Sequence, residues 1–168
     1  MKTRVIQDDA DAGESGINHG APVVASSEAE VSASADLVWE VLTAIEQWPS
    51  WNPDVKSASM HGQLSEGTEF RWKAGPASIT STLQQVDAPV RLAWTGTTFG
   101  IEAMHVYALQ AWDGVTLVRT EESYDGLLAR IFRGRLQKTL EDSLETGLGH
   151  LKAEAERRTA HLAGERRS

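Results

Sequence analysis

Between residues 34 and 47 the apolar positions Val38, Val41, Leu42 and Ile45 recur at helical spacing, with polar positions between them. A serine at 32 or 34 can accept the orphan N–H groups of a first turn, and Asp36 suits the positive helix end. The pattern predicts a short amphipathic helix. Pro49 and Pro53 bias Trp48 and Asn52 away from helical angles, so the helix is expected to stop near Gln47. A tight corner should follow, in which Trp48 and Trp51 wedge one turn.

Most of the remaining chain follows a period of two. Strands are expected over residues 23–31, 55–60, 68–73, 77–86, 91–97, 101–112 and 115–124, separated by Gly, Pro and Asp turn signals. Phe70 and Trp72 share one face of the third, with Arg71 and Lys73 on the other; Leu92 and Trp94 go together in the fifth. In the sixth, Ile101, Ala103, His105, Tyr107 and Leu109 alternate onto one face. In the seventh, Thr116, Val118, Thr120 and Glu122 do the same, opposite Leu117, Arg119, Glu121 and Ser123. Asp113-Gly114 is a strong hairpin signal, and pairing centred on it sets His105 opposite Glu122 or close to it. Seven strands that follow one another make an antiparallel meander.

Helical spacing returns over residues 127–158. Leu136, Leu140, Leu144, Gly147, Leu148, Leu151 and Ala155 form a core stripe, whereas Leu127, Leu128 and Ile131 lie off it. Gly134, between the two sets, is the expected bend, and the chain should fray after Arg158. Gly147 leaves a gap in the stripe, as suits a helix over a cavity or in close contact with a sheet. These elements give an α+β domain over residues 22–158, an acidic extension over residues 1–21 and a tail over residues 159–168. In the extension, Val5, Ile6 and Ile17 are the residues able to dock.

Composition narrows the chemistry. The chain has 168 residues, a net charge of −8 and no cysteine. That charge disfavours nucleic acid and anionic membrane as general partners. The missing thiols remove disulfides, thiolate metal sites and a cysteine nucleophile. No apolar run approaches the ~20 residues needed to cross a bilayer. A cytoplasmic protein without membrane insertion, monomeric or homodimeric, is the expectation. The five histidines show no metal-ligand spacing, and neither a phosphate loop nor a Gly-x-Ser-x-Gly elbow occurs.

Val38 to Thr43, Ile45, Trp48, Pro49, Trp51, Asn52 and Pro53, set before an antiparallel run and a long last helix, resemble the START-related helix-grip superfamily in its polyketide cyclase/dehydrase branch. The resemblance spans residues 23–158. It implies a seven-stranded curved antiparallel sheet wrapped around the C-terminal helix, with two short helices after the first strand. It also implies a deep hydrophobic pocket between sheet and helix and no cofactor. Candidate lining residues are Trp72, Trp94, Phe99, Met104 and Tyr107 from the sheet, with Leu140, Leu144 and Leu148 from the helix. Each also has a simpler reading as core.

Inward polar groups are more telling, because burial without a partner costs roughly 1–3 kcal/mol. His105 and Glu122 are the candidate proton-transfer pair, the carboxylate being expected to raise the imidazole pKa; a structural ion pair is the alternative. Thr120 is a weaker ligand candidate. Cyclases of the resembled branch are thought to use a pocket arginine, but alternation points Arg71 and Arg119 outward here. Arg130, Arg133, Arg135 and Lys138 crowd the start of the last helix, as a solvated face or as a contact to an acidic ligand at the pocket mouth. Three functions follow: a cofactor-free cyclase or dehydratase, a carrier or sensor of a hydrophobic ligand, and a co-chaperone-like interaction module using the outer sheet face.

Overall fold

The computed structural model describes residues 16–165. Seven strands form one antiparallel sheet in the order β1-β7-β6-β5-β4-β3-β2. They are β1 Val23–Val31, β2 Val55–Met60, β3 Glu69–Ala74, β4 Ala77–Asp87, β5 Arg91–Thr98, β6 Ile101–Trp112 and β7 Val115–Asp125. Only β1 pairs out of sequence, lying against β7 with Val23 opposite Tyr124 and Val31 opposite Thr116. The helices are α1 Ala35–Thr43, α2 Trp48–Trp51, α3 Leu127–Ile131 and α4 Arg133–Glu165. This is the helix-grip arrangement expected from the sequence.

Ser34 caps α1 as expected, its Oγ accepting from Leu37 N at 3.3 Å. The corner after α1 differs from expectation. A 3₁₀ turn, Ile45–Gln47, leads into α2, and Trp48 itself is helical at φ −50°, ψ −43°. Pro49 falls in the first turn of α2, where its missing N–H costs nothing and its fixed φ suits the helix. The Trp48 indole turns inward and donates to Leu42 O at 2.9 Å, so one side chain ties α2 to the end of α1.

The helical C-terminal segment breaks at Phe132, before the expected glycine. Gly134 is exposed, and a Cβ there would meet nothing. Packing makes the bend: Ala129 is fully buried where α3 covers the end of the sheet, while α4 runs back over it. Gly126 precedes α3 at φ +106°, and a Cβ there would lie 2.5 Å from Gly100 O. Only glycine allows this approach between α3 and the β5–β6 turn. At its far end α4 continues past Arg158 to Glu165. Glu154 holds Arg157 and Arg158 there, and Thr159 Oγ1 donates to Ala155 O.

The exposed edge of β1 is blunted by α4. The Gln137 amide both donates to Val24 O, at 2.8 Å, and accepts from Val24 N, at 3.3 Å, in place of a neighbouring strand. Glu156 accepts from Ser32 N at 2.9 Å, and Lys152 Nζ donates to Glu30 O. The core lies between the inner sheet face and α4 in two parts. Leu140 and Leu144 pack on Val23 and Ala25, with Tyr124 and Leu136 beside them. Leu148, Leu151 and Ala155 join the larger part with α1, Trp48, Phe70, Leu83, Trp94 and Tyr107. On the outer face Ile17 is buried against Ala93 and Val106, so this one of the three candidate anchors docks. Val5 and Ile6 lie outside the described residues.

Candidate functional site

Phe70, Trp72, Trp94 and Tyr107 share the inner face of the sheet because β3, β5 and β6 present alternate residues to it. Trp48 enters from α2 at ring-centroid distances of 5.7 Å from Phe70, 5.6 Å from Trp72 and 5.8 Å from Trp94. Trp94 continues the wall to Tyr107 at 5.8 Å. His105 is wedged beside both, 4.5 Å from Trp94 and 4.9 Å from Tyr107. The Trp72 indole donates to Ser81 Oγ at 3.1 Å. Trp51 Nε1 is buried with no hydrogen-bond partner among the described residues.

One chain of polar groups crosses this wall. The Asp113-Gly114 turn, with φ of +44° and +81°, sets Trp112 opposite Val115 and thereby His105 opposite Glu122 and Tyr107 opposite Thr120. His105 Nε2 and Thr120 Oγ1 are 2.8 Å apart, and Thr120 stands opposite Tyr107 on the paired strand. On the other ring edge, His105 Nδ1 lies 3.4 Å from Glu122 Oε2. The side chains of His105 and Glu122 retain 11% and 13% of their accessible area, so both reach the protein interior without being sealed in it.

Burial dominates the electrostatics. It lowers the His105 pKa to about 3 and raises that of Glu122 to about 8. The expected upward pull of the carboxylate on the imidazole is thus reversed, because a buried site disfavours charge on either partner. Burial thus pushes both partners towards their uncharged forms. Tyr107 is pushed up to about 12, mainly by burial, with the Thr120 hydrogen bond acting against it. The Tyr124 phenol is raised too, by burial and then by Glu122.

The other candidate residues divide. Trp72, Trp94 and Tyr107 stand together on the wall, and Leu148 belongs to the same core cluster. Leu140 and Leu144 pack instead on Val23 and Ala25. Thr120 is fully buried behind His105, which makes it a support for the ring. Phe99 does not face the interior: it occupies the β5–β6 turn at φ +48° and is 69% exposed. Met104 also faces away, since it alternates with His105 and packs near Ile17 and Val106 on the outer face. Arg71 pairs with Glu69 and Arg119 with Glu121, both outward as alternation requires. Trp48 and Tyr124 are two inward aromatics beyond those the sequence pattern offers as lining. Extending the Val118, Thr120, Glu122 alternation by one step finds Tyr124, whereas Trp48 depends on how α2 folds back.

Open space occurs in several places. A Cβ on Gly147, at the edge of the α4 stripe between Leu144 and Leu148, would touch nothing within 4 Å. Two surface grooves lie away from the aromatic wall. One, of about 530 Å³, is lined by His19, Val24 to Ser26, Arg119, Glu121 and Glu141; the other, of about 250 Å³, lies between Ser34, Leu37 and the end of α4. Among the described residues no group of three or more His, Cys, Asp or Glu is arranged to hold a metal, and no helix is long and apolar enough to cross a membrane.

The family described as polyketide cyclase/dehydrase and lipid transport matches residues 22–156, nearly all of this architecture. The chain belongs to that family. Solved structures resembling this chain include a hypothetical protein of Helicobacter pylori, with TM-score 0.73 and 18% identity over 92% of this chain and 97% of that one. The aromatase/cyclase Zhui of Streptomyces sp. R1128 matches at TM-score 0.73 and 18% identity, covering 81% of this chain and 94% of its own. A START superfamily protein of Mycobacterium smegmatis matches at 0.65 and 15%, over 80% and 97%. At these identities the likeness is one of fold. No curated protein matches the sequence.

Proposed function

We propose that this chain binds a hydrophobic, uncharged small molecule against the aromatic wall beneath α4, and that His105 and Glu122 move protons on a carbonyl of that molecule. The observation that carries the reading is the buried pair itself: an imidazole nitrogen 3.4 Å from a carboxyl oxygen, in a site whose burial pushes both groups towards their uncharged forms. Such a pair can give one proton to a carbonyl oxygen and take one from the neighbouring carbon, leaving the site neutral. Trp72, Trp94 and Tyr107 offer flat apolar surface to a ring or a folded poly-ketone chain, so positioning supplies much of the catalysis. The gap at Gly147 lies where the two core clusters meet along α4, and the pair occupies the corresponding seam on the sheet: Glu122 is in register with Ala25, while His105 rests on Trp94. The family's description, which includes cyclisation, dehydration and lipid transport, supports an apolar ligand of this class.

A carrier of an uncharged lipid-like ligand is the second reading, favoured by a wall whose burial pushes its ionisable groups towards their uncharged forms. Native mass spectrometry of freshly purified protein tests binding: a retained apolar molecule is expected, and an empty chain that binds no apolar dye overturns both readings. His105→Ala and Glu122→Gln then separate them. Loss of conversion with binding retained is the result expected of the enzyme, and unchanged conversion overturns the proton-transfer role.

A further inference from the structure

One end of the molecule carries an apolar and cationic patch that the ligand site does not use. Phe99 in the β5–β6 turn is 69% exposed, and Leu127, Ile131 and Phe132 around α3 are 70%, 61% and 53% exposed. The turn and α3 are held together by the close approach of Gly126 to Gly100 O and by Leu128, 4.0 Å from the position of a Cβ on Gly100. Interleaved with these residues are Arg130, Arg133 and Arg135, all exposed. None has an ion-pair partner among the described residues, although the chain as a whole carries a net charge of −8. Arg133 and Arg135 also stand in the first turn of α4, where the helix dipole disfavours cations unless an external anion compensates.

From these features we infer that the patch is a docking surface for an anionic lipid membrane, which the protein touches without spanning. Large apolar side chains exposed by more than half, alternating with arginines, match an interface that takes rings and aliphatic groups to shallow depth while lipid phosphates meet the guanidinium groups. The apolar residues are spread over a turn, a short helix and a helix junction. A fluid interface accommodates that irregular set, whereas a helical protein partner would favour a single stripe or groove. Docking here turns the more acidic remainder of the chain towards solvent. It also presents to the lipid the end of the sheet from which Tyr124 and then Glu122 lead inward along β7. The docking surface does not depend on any chemistry at His105.

Co-sedimentation of the full chain with phosphatidylcholine vesicles, with or without about a third phosphatidylglycerol, tests this at low and high salt. Binding to the anionic vesicles alone, reversed by salt, is expected. Combining Arg130→Gln, Arg133→Gln and Arg135→Gln should lower partitioning on the order of a hundredfold. Leu127→Ser with Phe132→Ser should weaken it at unchanged charge. Melting curves like the parent's show that these surface variants fold. The inference is overturned by absence of vesicle binding, by equal binding to neutral and anionic vesicles, or by a triple variant that partitions like the parent. Capture of an acidic soluble protein through the same arginines, without vesicle binding, also overturns it.

Discussion

His105 and Glu122 face each other across β6 and β7 with 3.4 Å between Nδ1 and Oε2, yet the surroundings push both towards their uncharged forms. Such an acid and base pair differs from an ordinary ion pair in what pH does to it.

Stability should therefore be highest in a window and fall on both sides. The Glu122 pKa rises from 4.5 in the unfolded chain to about 8, so the folded state holds the proton more tightly and stability is lost as pH rises through that interval. The His105 pKa falls from 6.5 to about 3, so stability is lost as pH falls through that one. The two slopes oppose each other between 4.5 and 6.5, which marks the plateau. Melting temperature measured against pH should show this shape, each limb worth on the order of 2–4 kcal/mol. Glu122→Gln should flatten the alkaline limb and extend the acid one up to pH 6.5, because nothing then opposes the His105 slope. An alkaline limb that survives Glu122→Gln would assign it to another group.

Thr120 has no exposed surface, bonds His105 Nε2 and stands opposite Tyr107. Thr120→Val keeps the shape and removes the hydroxyl, leaving a buried ring nitrogen without its partner. Urea unfolding should show a loss of about 1–3 kcal/mol. The Tyr107 pKa should rise further, because the hydrogen bond from Thr120 opposes its upward shift. A phenolate titration unchanged from the parent would show that Thr120 does not bond Tyr107 in solution.

Trp48 joins the aromatic wall to the end of α1, being 5% exposed with its indole bonded to Leu42 O. Trp48→Phe should cost about 1–3 kcal/mol through the orphaned carbonyl, and Trp48→Ala about 3–5 kcal/mol through the cavity left behind. Equal losses for the two variants, read from urea midpoints, would mean that the ring volume contributes nothing beyond the hydrogen bond.

Much of this architecture is legible in the sequence, because alternation and turn chemistry are local. Asp113-Gly114 fixes the β6–β7 register, and with it His105 against Glu122 and Tyr107 against Thr120, while alternation within β3 and β7 turns Arg71 and Arg119 outward. What escapes local reading is decided by packing. Phe99 is a large apolar residue that sits at positive φ in a turn, whereas the outer-face parity of Met104 already follows from the alternation of Ala103 and His105. The break at Phe132 follows from burying Ala129, not from the freedom of Gly134. Leu140 and Leu144 lie in the correct stripe, yet they reach β1 and not the aromatic wall, since the first half of the α4 stripe packs on Val23 and Ala25 and only Leu148 onward joins the larger cluster. The direction of the His105 shift depends on burial, which no spacing reveals.

Gly147 offers the sharpest separation between a closed core and a ligand space. Nothing lies within 4 Å of a Cβ built there, and the residue is in the middle of α4. Gly147→Ala should therefore gain the helix propensity that glycine lacks, about 0.5–1 kcal/mol, with no clash to offset it. If the gap belongs to the ligand space, Gly147→Phe should leave the melting temperature near that of the parent while lowering apolar dye affinity at least about tenfold. If the gap is only a dent in the solvent-facing side of the helix, dye affinity will not change. Titrating the parent and both variants with one dye, alongside thermal melts, distinguishes the two, and unchanged affinity in Gly147→Phe removes α4 from the wall of the site.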